Sequence, residues 1–239
     1  MSAPGSEPVL EIRQVAKNYS ALRPLRIAEL TMMAGERVSI GSIDAGAGEV
    51  IVNLVTGASV PESGEVRVFG RPTSAIADGD EWLEFLERFG IVSPRGVLLA
   101  GSTLEQNLAM PFTLAVDPVP PAVVEQVRQL ARACGIDPDR WLSVQAGQLP
   151  ADVRVRTHVA RALALNPAFV VIEHPTADVV PEARPALAAD IARACAGRQL
   201  TALILTNDEG FAKVAAPRNL MLHGATGALK RIGKGWLSW

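Results

Sequence analysis

Aromatic residues are scarce in this chain of 239, at 5% of the total with a single tyrosine, Tyr19. Cysteines are scarcer still. Cys134 and Cys195 stand alone, with no CxxC or Cys/His spacing, so no metal site is expected. Each sits in an Ala/Arg-rich helical stretch and reads as a small buried core residue in a reducing compartment. Neither sign of charge prevails: the net charge is -2, which leaves no basic face for nucleic acid or an anionic membrane. Long apolar runs are missing too. None approaches the roughly 20 residues that span a bilayer, and the opening MSAPGSEP lacks the apolar stretch of a signal peptide. The expectation is a soluble protein with no direct membrane insertion, free to dock on a membrane protein.

What is present is a globular composition, 49% hydrophobic and 20% charged, long enough for one large domain or two lobes. Short β-type runs alternate with helical patterns, which predicts an α/β fold. Val9–Ile12, Arg26–Leu30, Glu36–Ile40, Phe89–Val92 and Asn219–Leu222 read as strands, and Glu62–Thr73 reads as turn, strand, turn. Phe169–Ile172 and Leu200–Leu205 are unbroken apolar runs of the kind found in central parallel strands. Val50–Val55, Pro121–Cys134, Val153–Leu165 and Pro185–Cys195 read as helical. Pro121 at one end and Gly135 at the other give good boundaries. Between Pro94 and Pro121, Pro and Gly punctuation predicts a loop with one short helix.

Several stretches carry a family likeness: GERVSI and NLVTG around a Gly/Ala loop, ESGEVRVFGRP, TLEQNLAMP, ARALALNP and EHPTADVVPEAR. From about Val9 to Leu229 the chain resembles the ABC-transporter ATPase family. The spacing agrees. The positions matching the signature serine, the last residue of the Walker B strand and the switch histidine are Pro150, Glu173 and Asn207, and the intervals of 23 and 34 residues need no gap. The resemblance implies a P-loop NTPase (RecA-like) core with a mostly parallel sheet, an N-terminal antiparallel β-lobe and an inserted α-helical lobe. In a single domain, residues 9–92 and 155–230 would form the core and β-lobe, 93–154 the helical lobe and 231–239 a tail.

The family's phosphate loop wraps phosphates in glycine N–H groups, neutralises them with Lys and holds Mg²⁺ with a Ser/Thr hydroxyl. Here GSIDAGAGEV begins at Gly41, and the loop positions are Gly46, Ala47, Gly48, Glu49 and Val50. One register puts Gly48 and Glu49 at the Lys and Ser positions; sliding by one puts Ala47 and Gly48 there. Neither supplies a lysine or a hydroxyl. A carboxylate such as that of Glu49, about 4 Å from a phosphate, costs about 1 to 4 kcal/mol at surface-like dielectrics. A tight strand-to-helix turn whose free N–H groups bind anions weakly at most is the plainer reading.

At the Walker B end the family's Asp–Glu pair is Glu173–His174. Glu173 has the chemistry to face a metal, and His174 to act as a base near neutral pH. The signature LSGGQ becomes LPADV, Leu149, Pro150, Ala151, Asp152 and Val153. Pro150 lacks hydroxyl and N–H, and Asp152 adds a carboxylate, while both favour a helix start. The switch position is Asn207, the D-loop aspartate position is Val180, and the Q-loop glutamine falls on Pro94, or on Ser93 after a one-residue shift. Tyr19 stands where the family stacks an aromatic on adenine, and ordinary packing explains it equally.

The resemblance therefore implies an ATP-binding-subunit homologue that does not hydrolyse ATP, a structural or regulatory part of a membrane transport complex. Two alternatives stay open: an ABC ATPase with weak ATP binding or turnover, and a soluble interaction protein no longer linked to transport. No cofactor is expected; ATP and Mg²⁺ belong to the family. The partners it implies are a permease subunit, whose coupling helix would meet the stretch Arg95–Phe112, and a homodimer or heterodimer with another ATPase subunit. The place implied is the cytoplasm, at the cytoplasmic face of the inner membrane. The last residues, GKGWLSW, carry two Trp and read as a docking patch or as packing onto the domain.

Overall fold

A computed structural model describes residues 7–232; the Trp-bearing tail lies outside them. Two sheets organise the chain. Strands β1 (Leu10–Lys17), β2 (Leu25–Met32), β4 (Ser63–Val68) and β5 (Arg71–Pro72) form an antiparallel sheet in the order β2-β1-β4-β5. Strands β3 (Arg37–Gly41), β6 (Phe89–Val92), β7 (Phe169–Glu173), β8 (Thr201–Leu205), β9 (Arg218–His223) and β10 (Ala228–Arg231) form the second, ordered β10-β9-β3-β8-β7-β6. Its pairings are parallel except at the β9–β10 edge. The α/β expectation holds.

Every residue of β7 and β8 is buried, which is why these strands read as unbroken apolar runs rather than alternating ones. The period of two is still visible in how they divide the core. Phe169, Val171, Leu203 and Leu205 pack with β1, β2, β4 and helix α1 (Ala45–Val55). Val170, Ile172, Ala202 and Ile204 pack on the opposite face. There they meet α3 (Leu104–Ala109), α4 (Pro121–Ala133), α6 (Ala151–Leu163) and α7 (Arg184–Gly197).

Four phenylalanines fasten the two sheets together. Phe69, after β4, touches Phe85 of α2 (Gly79–Leu86) and Phe89 of β6, Phe85 touches Phe89, and Phe89 meets Phe169, at centroid distances of 5.1 to 6.0 Å. The Arg88 guanidinium lies 3.5 Å over the Phe69 ring, a favourable cation–π position.

Helix boundaries follow the sequence signals. Pro121 opens α4 and Gly135 closes it at φ 76°. A Cβ at Gly135 would come within 2.3 Å of the Asp190 carboxyl, so the position requires glycine on two counts. Helix α1 starts at Ala45, before the expected Val50, because Asp44 caps it. The loop between Pro94 and Pro121 holds one short helix, α3, opened by a capping box between Thr103 and Gln106. Cys134 and Cys195 are buried, and burial pushes their thiols up to about 12 and about 11. That fits core residues and not reactive ones. Helix α2, the short α5 (Pro138–Trp141), α8 (Glu209–Ala215) and strand β10 add to what the sequence pattern predicted. Among the described residues no helix is long and apolar enough to cross a membrane.

Candidate functional site

The carboxyl ends of β3, β7 and β8 converge at one edge of the six-stranded sheet, the edge at which open α/β sheets place their ligands. Strand β3 delivers Gly41, Ser42, Ile43 and Asp44, then α1 begins. Asp44 caps α1, its carboxylate accepting from the Ala47 N–H at 2.7 Å, and Tyr19 Oη donates to the other carboxylate oxygen at 3.2 Å. The Tyr19 ring lies along the loop, so that a Cβ on Gly46 would come within 3.1 Å of it. Burial raises the phenol above its ordinary value, and the Asp44 charge adds to this.

Asn207, beyond β8, reaches the same loop. Its amide oxygen accepts from the Ile43 N–H at 3.0 Å, and its amide nitrogen donates to the Ile43 carbonyl at 2.8 Å. The loop backbone between β3 and α1 is thus held from two sides, by its own aspartate and by the residue after β8.

Strand β7 ends in Glu173, only 2% exposed. Its carboxylate accepts from Ser93 Oγ at 2.9 Å and from Arg95 Nη1 and Nη2 at 3.2 and 2.8 Å. The Arg95 guanidinium also lies 3.6 Å from Glu49 of α1. His174 follows with φ 43°, and Ser42, after β3, has φ 60°. Left-handed non-glycine residues at two converging strand ends mark a place where local strain is tolerated, as at functional sites. His174 Nε2 sits 3.4 Å from the Asp44 carbonyl, and a Cβ on Gly48 would come within 3.1 Å of that nitrogen.

The Leu149–Val153 stretch is built separately. Leu149 is buried, Pro150 is exposed, and α6 starts at Ala151 with no side-chain cap. Asp152 turns along its own helix to Arg156 at 2.6 Å, and Arg156 pairs on its far side with Asp190 at 2.7 Å. Arg154 folds back onto the Leu149 carbonyl. Among the described residues the stretch has no hydrogen bond to the β3–α1 loop.

The expectation that Glu49 and Asp152 would confront a phosphate as bare charges is therefore amended: each is paired with an arginine of the same chain. Pro94 is exposed beside Ser93, and it is Ser93 that reaches Glu173. Val180 is exposed. Val50 lies in the first half of α1, partly packed on the core. Arg95 was missed as a site residue. Its place three residues beyond the end of β6 was the one available signal.

No family model matches the chain. Known proteins do. It is 26% identical over 224 residues to the methionine import ATP-binding protein MetN of Brucella abortus, covering 92% of this chain and 58% of that one. The chain thus spans little more than half the length of these MetN relatives. It is 30% identical over 216 residues to the lipoprotein-releasing system ATP-binding protein LolD of Xylella fastidiosa, covering 86% of each. The chain belongs to the family of ABC-transporter ATP-binding proteins. The fold agrees. The dimeric ATP-binding cassette MJ0796, in a post-hydrolysis state with ADP and Pi, superposes with TM-score 0.73 at 18% identity, covering 93% of this chain and 98% of that one. The cassette cbiO1 of Clostridium perfringens, part of the cbiONQ transporter complex, gives 0.71 at 18% identity, covering 90% of this chain and 85% of that one. Within this ATP-binding-cassette fold, the Gly41–Val50 loop, the β7 end and Asn207 meet at one site.

Proposed function

We propose that this cassette is a non-hydrolysing member of the ABC family, a structural or regulatory subunit of a membrane transport complex. One observation carries the reading: the groups that would receive Mg²⁺-ATP are engaged by the chain's own side chains. Asp44 takes the Ala47 N–H, Asn207 takes the Ile43 N–H, and Arg95 with Ser93 takes both oxygens of Glu173. A phosphate entering the loop meets the Asp44 carboxylate where it needs donors. A Mg²⁺ ion at Glu173 meets a guanidinium. Among the described residues no group of three or more His, Cys, Asp or Glu is placed to hold a metal. The residues present do not fit Mg²⁺-ATP.

The docking face supports a retained structural role. A groove of about 460 Å³ is lined by Leu83, Leu86, Phe89, Ile91 and Leu165, together with the charged Glu87 and Arg161. Leu83, Ile91 and Leu165 are exposed, and so is Val97 at 72%, beside the groove where Arg161 donates to its carbonyl. An apolar groove next to exposed apolar side chains is suited to the apolar face of a helix, and a permease helix is the occupant this family membership favours. Leu104 and Leu108, in contrast, are core.

Titration with a fluorescent ATP analogue in the presence of Mg²⁺ tests the reading. The expected result is no saturation up to about 1 mM, an affinity weaker than about -4 kcal/mol, with phosphate release at background. Gly48→Lys alone is expected to restore neither. Micromolar, Mg²⁺-dependent binding would instead favour the second reading, a weak ATPase, for which the placement of His174 against the loop is the supporting observation. Co-purification with a multi-span membrane protein separates a transport subunit from a soluble interaction protein.

A further inference from the structure

Residues 93–103 join β6 to α3, and side chains from both layers pin them. Arg161 of α6 donates to the Val97 carbonyl at 2.7 Å. Asn107 of α3 holds the Leu99 N–H at 2.8 Å and the Leu99 carbonyl at 3.1 Å. Both pins lie within the helical layer. Arg95 and Ser93 reach across to the sheet edge: both bond Glu173 at the end of β7, and Arg95 also pairs with Glu49 on α1. The cross-link is unequal at its two ends. Arg95 is 45% exposed, whereas the Glu173 side chain is 1% exposed. Burying a carboxylate is costly unless it is paired and hydrogen-bonded, and a two-pronged arginine is the strongest such partner. Ser93 Oγ completes the set, and it also accepts from the Arg95 N–H at 3.2 Å, which fixes the turn that presents the guanidinium.

We propose that Arg95 and Glu173 form a permanent latch, holding the 93–103 segment and its exposed Val97 and Leu99 against the ends of β7 and α1 without nucleotide. This rests on the reading that no Mg²⁺-nucleotide occupies the site. The latch has a consequence that inertness alone does not: the segment beside the docking groove keeps one position whether ATP is present or not, and a partner meets a preformed surface.

Hydrogen exchange read by mass spectrometry on the full chain tests this. In the wild type, Mg²⁺-ATP at millimolar concentration is expected to leave exchange in 93–103 unchanged. Arg95→Ala should speed exchange there by about tenfold or more, as local opening becomes cheaper, while the β8 and α7 amides keep their protection. Glu173→Gln should do the same, and the double variant should add little to either single one. Arg95→Lys, which keeps the charge and loses the fork, should fall between and provides a variant that folds should Arg95→Ala not. Unchanged exchange in a folded Arg95→Ala or Arg95→Lys protein overturns the latch and leaves the proposed function standing. Slowed exchange in wild-type 93–103 on adding Mg²⁺-ATP overturns both.

Discussion

Strands β7 and β8 and the loops that leave them obey different rules. Inside the sheet, Phe169–Ile172 and Thr201–Leu205 are shielded on both faces, and their burial depends on shape and apolar area that many sequences of the family pattern supply. One or two residues further on, at Glu173, His174 and Asn207, side chains are held by directional contacts to specific partners: Arg95, the Asp44 carbonyl and Ile43. The interior retains a frame that any member can use. The strand ends bond one another and the loops beside them. In the β3–α1 loop the Ile43 and Ala47 N–H groups are taken by side chains of the same chain, Asn207 and Asp44.

The contrast is broken most directly by comparing truncations across it. Phe169→Ala removes a buried ring that touches Phe89 and fills the core beneath β1 and α1. Urea denaturation should show a loss of about 4 kcal/mol. Arg156→Met, on the helical side, leaves Asp152 without its arginine and Asp190 with only the exposed Arg193 at 3.0 Å. A loss of about 3 kcal/mol is expected, because the guanidinium is buried and one partner is removed from a pair. Asn207→Ala leaves the Ile43 N–H and carbonyl without partners, and about 1 to 3 kcal/mol is expected. If Asn207→Ala cost as much as Phe169→Ala, the loop would be part of the core's own cooperativity and the distinction between frame and strand ends would fall. Asp152→Asn should cost under about 1 kcal/mol, since Arg156 keeps Asp190 and the carboxylate is partly solvated.

The same division decides what could be seen in the sequence. The apolar runs of β7 and β8, and the Pro121 to Gly135 helix, are local patterns, and they are where they were expected. Helix α2 escaped notice because its eight residues, GDEWLEFL, bury only Phe85 fully and so show too little periodicity. Its start signal, Asp78 accepting from the Glu81 N–H, lies in an acidic stretch that reads as loop. The site positions could be located by their spacing along the chain. Their partners could not: Arg95 and Glu173 are 78 residues apart, Ile43 and Asn207 164 apart, and nothing local joins either pair. Sequence therefore gave the locations of Glu49 and Asp152 but made them bare charges, and only the fold supplies the arginines that neutralise them.

The smallest expected effect lies at the boundary between the two regions. His158 of α6 faces the turn after β6, where a Cβ on Gly96 would come within 3.2 Å of its Nδ1. Burial lowers its pKa below the ordinary 6.5, and Arg161 and Arg154 push the same way. The unfolded chain then takes up this proton at a higher pH than the folded one. Between the lowered folded value and 6.5 the unfolded state holds more protons, so stability falls as pH drops through that window. Above 6.5 both states carry a neutral ring and the dependence vanishes. Thermal melts of wild type and His158→Gln from neutral pH to about pH 5 should diverge only in the acidic part, with the variant the flatter of the two. Parallel curves would mean that the ring is solvated when folded and that the turn after β6 is not packed against α6. The Arg161 contact to Val97 would then be the sole tie between that segment and the signature-position helix.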